Sequence, residues 1–512
     1  MILPNLLLRQ LYTNKSLTRE ENGFVFELCN RLSDAVITGV VSMQIDNNEI
    51  PPQQLWVENG KERIPISSVS ENDPLILPFN NRIRIICRDV ILGDGLHPLK
   101  ISIKTKAYGQ INISVEDEVE NREAKAVKIP YDRIDDYTPQ AVKRRQEFIS
   151  RFSGRELEHI TNYSFDPEVV RGNIENFSGV AQIPLGFAGP VVVNGEHAQG
   201  EFIIPLATTE GTLVASYNRG IKVLNLSGGV KTTIQGDDMQ RAPVFVFEDA
   251  RACNHFVRWI NEHVQEIRQE AEKTSHVVRL DYIDPYLSNR FVFLRFNFKT
   301  GDAAGQNMVG KATLAACQWI IENYEGIEHF YLESNFATDK KASHINILRT
   351  RGKRVTAEVV LKREVLRDHL RAEPEILDYH QRISTIGALF SGANNNGAHS
   401  PNGIAAMFIA TGQDVANVAE ATAALLHTEV TPDRDLYVSI TLPSLIVATY
   451  GGGTGLPTQR ECLELMGCYG KDKVNKFAEI IAAVVLAGEV SLGAAITSND
   501  WVSSHERLGR NR

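Results

Sequence analysis

The chain has 512 residues and a formal net charge of −9 at pH 7. A chain of this length exceeds what one hydrophobic core usually holds, so two or more domains are expected. Binding to a nucleic-acid backbone requires clustered Lys and Arg, and the negative charge therefore argues against a nucleic-acid partner.

The first part of the chain, residues 1–118, is predicted to be an all-β, sandwich-like domain. Alternating or β-branched runs predict its strands and turn residues separate them; the runs are 24–28, 35–45, 82–90, 99–104 and 111–115. No catalytic motif is recognised in this domain, so its role is unknown. The charged stretch 116–125 is predicted to be a linker.

Residues after the linker mix helical and strand patterns, which predicts an α+β fold. Helical spacing covers 133–152 and 250–274, and the second helix precedes a strand pair at 277–283 and 290–298. A late apolar run, 480–488, ends at Glu489 and is too short to cross a membrane. We therefore expect it to form a buried helix.

Neither the N-terminus nor the cysteines point to export or to a metal. Residues 1–11 are interrupted by Arg9 and lack both a basic leader and a small-residue cleavage site. The six cysteines form no C-x-x-C pair and have no histidine spacing suited to zinc. The sequence thus predicts a reduced, cytoplasmic protein with no metal and no membrane partner.

Glu210 is a single carboxylate between hydroxyl residues and a glycine, directly after the apolar run 202–205. A carboxylate at the mouth of a buried strand is desolvated, which would raise its pKa and let it hold a proton near neutral pH. The structural alternative is an N-cap with an acidic first turn.

Lys340 and Lys341 place two ammonium groups beside the carboxylate of Asp339. A positioned ammonium can stabilise an oxyanion, whereas an isolated Asp-Lys-Lys is usually a charged surface. Asp414 follows the apolar segment 405–410, so we expect it to be desolvated and to require a cationic partner, for which Lys340 would serve. A structural buried ion pair would have the same geometry.

Several long motifs resemble those of hydroxymethylglutaryl-CoA reductase and occur in the order found in that family. They are Glu-Asn-Phe-Ser-Gly at 175–179, Ile-Pro-Leu-Gly-Phe-Ala-Gly-Pro at 183–190, and the segments 207–219, 301–308, 339–341, 412–414 and 450–454. The resemblance covers about residues 125–512 and leaves the N-terminal β-domain outside it.

The resemblance implies a large substrate-binding catalytic domain interrupted by a small insertion. The large domain would be 119–242 plus 332–512, and the nicotinamide-binding insertion would be 243–331. This insertion would lack the G-x-G-x-x-G signature, and no such pattern is found between a strand and a helix.

The implied reaction reduces a coenzyme A thioester to an alcohol, mevalonate, with two NADPH molecules acting in turn. By resemblance the catalytic residues are Glu210, Lys340, Asp414 and His505. Lys340 would stabilise the oxyanion, and Asp414 would couple the lysine to the glutamate. His505 would protonate the departing thiolate from a tail that closes as a lid, although a histidine in a polar tail is usually only exposed.

The resemblance also assigns binding residues. Coenzyme A would contact Ser216, Asn218 and Arg219, and the hydroxymethylglutaryl group would contact Arg241, His399 and Asn402. Asp339, Lys341 and Arg382 would be further substrate-binding residues. The nicotinamide cofactor would lie near Ser275, His276, Asp302, Asn307, Gln413, Gly451, Gly452 and Gly453.

Three positions depart from the family pattern. Glu333 stands where a serine touching substrate is common, and Arg382 stands where a lysine is usual; the two are expected to form a new ion pair that alters the pocket. His276 follows Ser275 where animal-type members have an arginine near the cofactor's 2′-phosphate, so the choice between NADPH and NADH stays open.

Three other functions compete with mevalonate synthesis. The reaction could run in reverse as NAD-dependent oxidation of mevalonate, or a related acyl-CoA could be the substrate. A non-enzymatic scaffold that keeps the fold is the third, although it has no need for the whole catalytic set. Segment 175–179 resembles the family's subunit-pairing segment, which predicts a homodimer or homotetramer with shared active sites.

Overall fold

A computed structural model of the protein describes residues 11–20, 22–31, 35–60, 62–78, 80–106, 109–119, 128–132 and 134–498. The chain divides into two compact units, residues 1–128 and 129–512. We describe each unit by itself.

The N-terminal unit contains two antiparallel five-stranded sheets that share one hydrophobic core. One sheet has the order β1-β2-β8-β5-β6; in the other the order is β10-β9-β3-β4, with β7 also paired to β3. The strands are β1 (Thr18–Glu20), β2 (Gly23–Cys29), β3 (Ala35–Ile45), β4 (Asn48–Glu49), β5 (Leu55–Asn59), β6 (Glu62–Pro65), β7 (Leu75–Leu77), β8 (Arg82–Arg88), β9 (Gly95–Thr105) and β10 (Gly109–Val119). The predicted N-terminal sheet region is therefore confirmed.

The predicted linker is wrong at its start, because residues 116–119 belong to β10. Glu116 and Glu118 are exposed on one face of the strand there, whereas Asp117 and Val119 are buried on the other. Its carboxylate accepts hydrogen bonds from the Tyr12 hydroxyl (2.7 Å) and the backbone N–H groups of Lys15 and Leu17. The backbone N–H of Glu118 donates to it as well, so four donors compensate the burial of this charge. Residues 120–125 of the predicted linker lie outside the described residues.

The C-terminal unit is a mixed structure in which helices pack on a ten-stranded sheet. Its helices are α1 (Pro139–Ser153), α2 (Leu213–Leu226), α3 (Ala250–Glu262), α4 (Val264–Glu272), α5 (Gln306–Asn323), α6 (Ile345–Leu348), α7 (Arg363–Leu370), α8 (Pro374–Ser391), α9 (Ser400–Thr411), α10 (Val418–Ala421), α11 (Pro457–Leu465) and α12 (Val474–Thr497). Its strands are β11 (Leu185–Gly195), β12 (Gln199–Ala207), β13 (Val230–Arg241), β14 (Val244–Val246), β15 (Arg279–Ser288), β16 (Phe291–Lys299), β17 (His329–Tyr331), β18 (Gly352–Leu361), β19 (Leu425–Val430) and β20 (Leu436–Leu445).

Strand β13 links two hydrophobic cores in this unit. Most of its length pairs with β18, in the layer whose core surrounds α12. Its last three residues, ending at Arg241, pair instead with β16, in a layer where β14–β16 and α3–α5 enclose a second core. Arg241 consequently lies where the two layers meet.

Helix α12 is the central helix of the larger core. It is long and apolar enough to span a membrane, but 78% of its most apolar window is buried inside the fold. The predicted buried helix at 480–488 is confirmed, and it continues past Glu489 because three backbone N–H groups of residues 398–400 bind this carboxylate. The absence of a membrane partner stays a prediction.

Helix α2 touches α12 backbone to backbone. A Cβ atom added at Gly220 would lie 1.9 Å from the carbonyl oxygen of Ala487, so only glycine allows this approach. The contact aligns Ser216 and Arg219 of α2 with Ser491 of α12, and it therefore sets the position of predicted site residues.

Candidate functional site

Glu210 lies in the turn between β12 and α2, as expected for a carboxylate at the end of a buried strand. Its amide donates to Thr208 Oγ1 (3.0 Å), and its Oε1 accepts a long hydrogen bond from Asn402 Nδ2 (3.4 Å). The carboxylate is exposed, so the predicted burial is wrong. The alternative of an acidic N-cap is wrong too, since α2 has no acidic residue in its first turn and no side-chain cap.

Lys340 forms the expected ion pair with Asp414, with Nζ 3.1 Å from Oδ2. The predicted desolvation of Asp414 is wrong, because its side chain is 42% exposed and that of Lys340 is 49% exposed. Helix α9 buries the apolar residues but ends at Thr411, and the left-handed backbone of the next residue, Gly412 (φ 68°), ends the helical direction before Asp414. An exposed pair contributes little to stability, so the alternative of a structural buried ion pair fails.

The loop that carries Lys340 has a conformation that must be held by its surroundings. Asn335, Thr338 and Lys340 all have left-handed backbone (φ 65°, 65° and 57°), which costs non-glycine residues about 1–2 kcal/mol each. The Thr338 hydroxyl donates to Oδ1 of the buried Asn346 (2.8 Å). The Lys341 ammonium donates to the Asp339 carbonyl (3.0 Å).

Two fully buried residues that sequence reasoning missed, Glu420 and Arg351, hold this loop. Glu420 accepts hydrogen bonds from the Lys340 backbone N–H and from Arg351 Nε. Arg351 also contacts the Asp339 carboxylate and donates to the Gln240 carbonyl (3.2 Å). Burial raises the pKa of Glu420, while Arg351 opposes that shift. The only sequence signal for Glu420 is a single acid inside the otherwise apolar and small segment 418–424.

Arg241 is drawn into the same cluster of charges. Its NH1 donates to Glu333 Oε2 (2.9 Å) and Asp339 Oδ2 (2.7 Å), and its NH2 donates to the Gln306 carbonyl (3.1 Å). The predicted ion pair between Glu333 and Arg382 is wrong. Arg382 instead forms an ion pair with Asp378 (2.6 Å) on α8. The two residues are four positions apart, and side chains at this spacing are neighbours on a helix surface.

A second cluster joins α2, α12 and the start of α9. Ser216 Oγ lies 3.1 Å from His399 Nε2 and 3.0 Å from Ser491 Oγ, and Arg219 donates to Ser491 Oγ from Nε (3.0 Å). Asn218 points elsewhere, since its Oδ1 accepts from the Gly189 N–H (2.8 Å). The structure thus brings Ser216, Arg219 and His399 together.

His399 is buried, and its backbone N–H contacts the carboxylate of Glu489. Glu489 accepts from the N–H groups of Ala398, His399 and Ser400 (2.7, 2.8 and 2.8 Å), and burial raises its pKa. Burial, with a smaller effect from the Arg219 charge, lowers the pKa of His399 to about 4. His399 is therefore neutral near pH 7.

The predicted cofactor residues separate into two kinds. Two of them already serve the fold: Asp302 accepts from the N–H groups at the start of α12, and the buried Gln413 amide bonds backbone atoms of Thr411 and Ala448. Ser275 caps the turn before β15, whereas His276 and Asn307 are exposed.

The glycine segment 451–453 combines an open edge with a tight contact. Gly451 and Gly452 have left-handed backbone (φ 82° and 56°), and no described atom lies within 4 Å of where a Cβ would stand. Gly453 packs against Gly412, where an added Cβ would lie 2.2 Å from the Gly453 carbonyl oxygen. The first two glycines could accept a closely approaching ligand.

His505, the predicted proton donor to the thiolate, lies outside the described residues.

One group of possible metal ligands occurs within the described part of the chain. Its ligand atoms lie within 4.8 Å of one another and belong to Glu196, His197 and Glu479. The Glu479 carboxylate there accepts from three backbone N–H groups of residues 196–198, which explains its burial without an ion.

We expect His399 to make unfolding pH-dependent. Because its folded pKa is about 4 and its ordinary value is 6.5, the unfolded chain binds a proton more readily between these values. The free energy of unfolding should therefore fall, by up to about 3 kcal/mol, as pH drops from about 6.5 to about 4. Denaturant unfolding of wild type and His399→Gln between pH 4 and 8 measures the difference.

The matched control is His427→Gln, because His427 is an exposed histidine in the same unit. This variant should keep the wild-type pH dependence, whereas His399→Gln should show a shallower one. Equal pH dependence in wild type and His399→Gln would contradict the burial argument.

Comparisons with known proteins match both units. The family description "Hydroxymethylglutaryl-coenzyme A reductase" matches residues 141–510. A second description, "Hydroxymethylglutaryl-CoA reductase, N-terminal domain", matches residues 7–120. The expectation that the N-terminal β-domain lies outside the resemblance is thus wrong.

Curated relatives are similar to this protein over most of the chain. The chain is 42% identical over 380 residues to 3-hydroxy-3-methylglutaryl-coenzyme A reductase of Pyrococcus abyssi, covering 72% of this chain and 93% of the relative. It is 43% identical over 377 residues to the enzyme of the same name from Methanocaldococcus jannaschii, covering 72% and 93%.

Among solved structures, the fold is similar to class II 3-hydroxy-3-methylglutaryl-CoA reductase from Streptococcus pneumoniae bound to NADPH. The TM-score is 0.54 at 21% identity, covering 70% of this chain and 94% of that one, so this likeness concerns the fold alone. The family matches and the relatives above 40% identity show that the chain belongs to the hydroxymethylglutaryl-CoA reductase family.

Proposed function

We propose that this protein is an oxidoreductase that converts 3-hydroxy-3-methylglutaryl-CoA to mevalonate and CoA with two NADPH. Family membership supports the reaction class. The observation that carries the proposal is the exposed ion pair of Lys340 and Asp414 (3.1 Å) on a loop anchored by buried charges. Such a pair adds little stability, so rigid support for it is best explained by chemistry at Nζ.

Lys340 is the residue that stabilises developing negative charge. Its ammonium group is paired with Asp414, and its backbone N–H donates to the buried Glu420. A donor held in place before the reaction needs no reorganisation when the carbonyl oxygen becomes negative. Lys340 therefore acts in both reductions, first of the thioester and then of mevaldehyde.

Glu210 and His505 handle protons. Glu210 lies beside Asn402 and is exposed, so a bound substrate can reach its carboxyl group. It supplies a proton to the reduced oxygen, an assignment that rests on the family motif. His505 protonates the CoA thiolate, an assignment that rests on the family motif.

NADPH supplies the hydride when it is bound. The residues fit such a ligand, because the open edge at Gly451 and Gly452 allows close approach of a planar group. We assign residues 243–331 to nicotinamide binding, since β14–β16 and α3–α5 enclose a core of their own. Ser275 and His276 belong to this region. We assign them to the neighbourhood of the cofactor's 2′-phosphate, so they influence the preference between NADPH and NADH.

Substrate binding is assigned to the two charged clusters. Arg241, together with Lys341, which follows its ion-pair partner Asp339 by two residues, takes the free carboxylate of the acyl group, and a guanidinium suits that anion. Ser216, Asn218 and Arg219 take CoA through α2.

We expect the purified protein to oxidise two NADPH per CoA released from 3-hydroxy-3-methylglutaryl-CoA. Lys340→Ala should abolish turnover of both the thioester and free mevaldehyde, because the ammonium serves both steps. Absorbance at the nicotinamide band and a thiol reagent measure the two products, with NADH assayed in parallel. If the wild-type protein releases no thiol above background with either cofactor, the reductase function is refuted and the non-enzymatic scaffold is favoured.

His505→Gln is the matched variant for that experiment. A lost general acid typically costs about a hundred- to ten-thousand-fold, so thioester turnover should fall by that range while mevaldehyde reduction changes little. Equal loss on both substrates would mean that His505 orients substrate or holds the tail closed.

A homodimer or homotetramer is supported by an apolar stripe on α8. Ile376, Tyr379, Ile383, Ile386 and Phe390 recur at three- and four-residue spacing and are 52–88% exposed. Such an exposed stripe is typical of a helix that packs on another subunit. In segment 175–179, the Phe177 carbonyl accepts from Arg145 Nε (2.9 Å), so α1 holds this segment within its own chain.

We expect wild type to sediment as a dimer or larger assembly, and Ile383→Glu with Ile386→Glu to shift it toward monomer. A charged residue placed in a packed apolar interface is desolvated without a partner. Leu465→Glu, an equally exposed apolar position on α11, should leave the assembly unchanged. A wild-type monomer at micromolar concentration would rule out pairing through α8.

A further inference from the structure

The guanidinium of Arg241 is neutralised by two carboxylates that differ in how firmly they are held. Its side chain is only 13% exposed, at the end of β13. NH1 donates both to Glu333 Oε2 (2.9 Å) and to Asp339 Oδ2 (2.7 Å). One cation therefore faces two negative charges.

Asp339 is the fixed partner of the two. Its other carboxylate oxygen contacts the fully buried Arg351, which is bound in turn by Glu420. Asp339 is thus held from two sides, by Arg241 and by the buried Arg351. Displacing Asp339 from Arg241 would disturb the loop that carries Lys340.

Glu333 is the displaceable partner. Its side chain is 50% exposed, and its second oxygen accepts a backbone hydrogen bond from the Asn335 N–H (2.7 Å). Within the described residues, Arg241 is the cation recorded in an ion pair with it. A surface ion pair of this kind exchanges readily with water or another anion.

We propose that Glu333 is a specificity-determining residue that competes with the substrate's free carboxylate for Arg241. This inference rests on the proposed function, in which Arg241 takes the acyl carboxylate. An incoming carboxylate must displace Glu333 from NH1 and then bind near its negative charge. Glu333 therefore weakens binding of acyl groups that end in a carboxylate, and it does not affect the CoA portion.

Three ligands separate this effect from others: 3-hydroxy-3-methylglutaryl-CoA, the free acid 3-hydroxy-3-methylglutarate, and CoA. Glu333→Gln keeps the shape of the side chain and removes the competing charge. It should lower KM for the thioester and the dissociation constant of the free acid by about two- to five-fold, the range expected for one weak, partly exposed ion pair. The dissociation constant of CoA should stay unchanged, and the effect should fall on KM rather than kcat.

Glu328→Gln is the matched control, because it removes the same charge from an exposed ion pair, with Arg290 (3.1 Å), away from Arg241. It should change none of the three affinities, which excludes a general effect of net charge. Unchanged or weaker binding of the free acid to Glu333→Gln would overturn the proposal, and weaker binding would make Glu333 a support for Arg241.

The two proposals fail in distinguishable ways. Absence of thioester turnover in wild type and all variants would refute the reductase function, whereas calorimetric titration of the free acid would still test Glu333. Normal wild-type turnover with an unaltered KM in Glu333→Gln would refute only the role of Glu333.

Discussion

The buried ion pair between Glu420 and Arg351 is the interaction on which the candidate site depends. Both side chains are fully buried, and each charge is balanced by the other. Removing one partner of such a pair typically costs about 3–5 kcal/mol, because the remaining charge stays buried and unpaired. The pair extends outward to Asp339 and to the Lys340 backbone. A rigid interior charge thus determines where an exposed ammonium stands.

Buried charges on helix α12 also hold two other segments in place. Its glutamates Glu479 and Glu489, ten residues apart, each bind three consecutive backbone N–H groups, at residues 196–198 and 398–400. Buried carboxylates satisfied in this way fix a turn and a helix start to the core. His399 lies at that helix start. The buried carboxylate of Glu489 therefore also positions the cluster that His399 forms with Ser216 and Ser491.

Sequence patterns predicted the parts of the protein that depend on local order. The strands of the N-terminal unit, the buried helix near 480–488, the strand-end position of Glu210 and the pairing of Lys340 with Asp414 follow from periodicity, motifs and charge. The exposure of Asp414 could not be predicted, because it depends on where α9 ends. Glu420 and Arg351 are 69 residues apart, and Glu333 and Arg241 are 92 apart. Single charged residues at such separations acquire a role only through tertiary contact.

Hydrogen exchange at the Lys340 amide tests most directly whether the buried pair positions the lysine. In wild type this N–H is bound by Glu420, so we expect slow exchange in peptides spanning residues 335–341. Glu420→Gln, which weakens the contact with Arg351, should accelerate exchange there while peptides from β13 and α12 stay protected. Unchanged protection of the Lys340 amide in a folded Glu420→Gln protein would contradict the account.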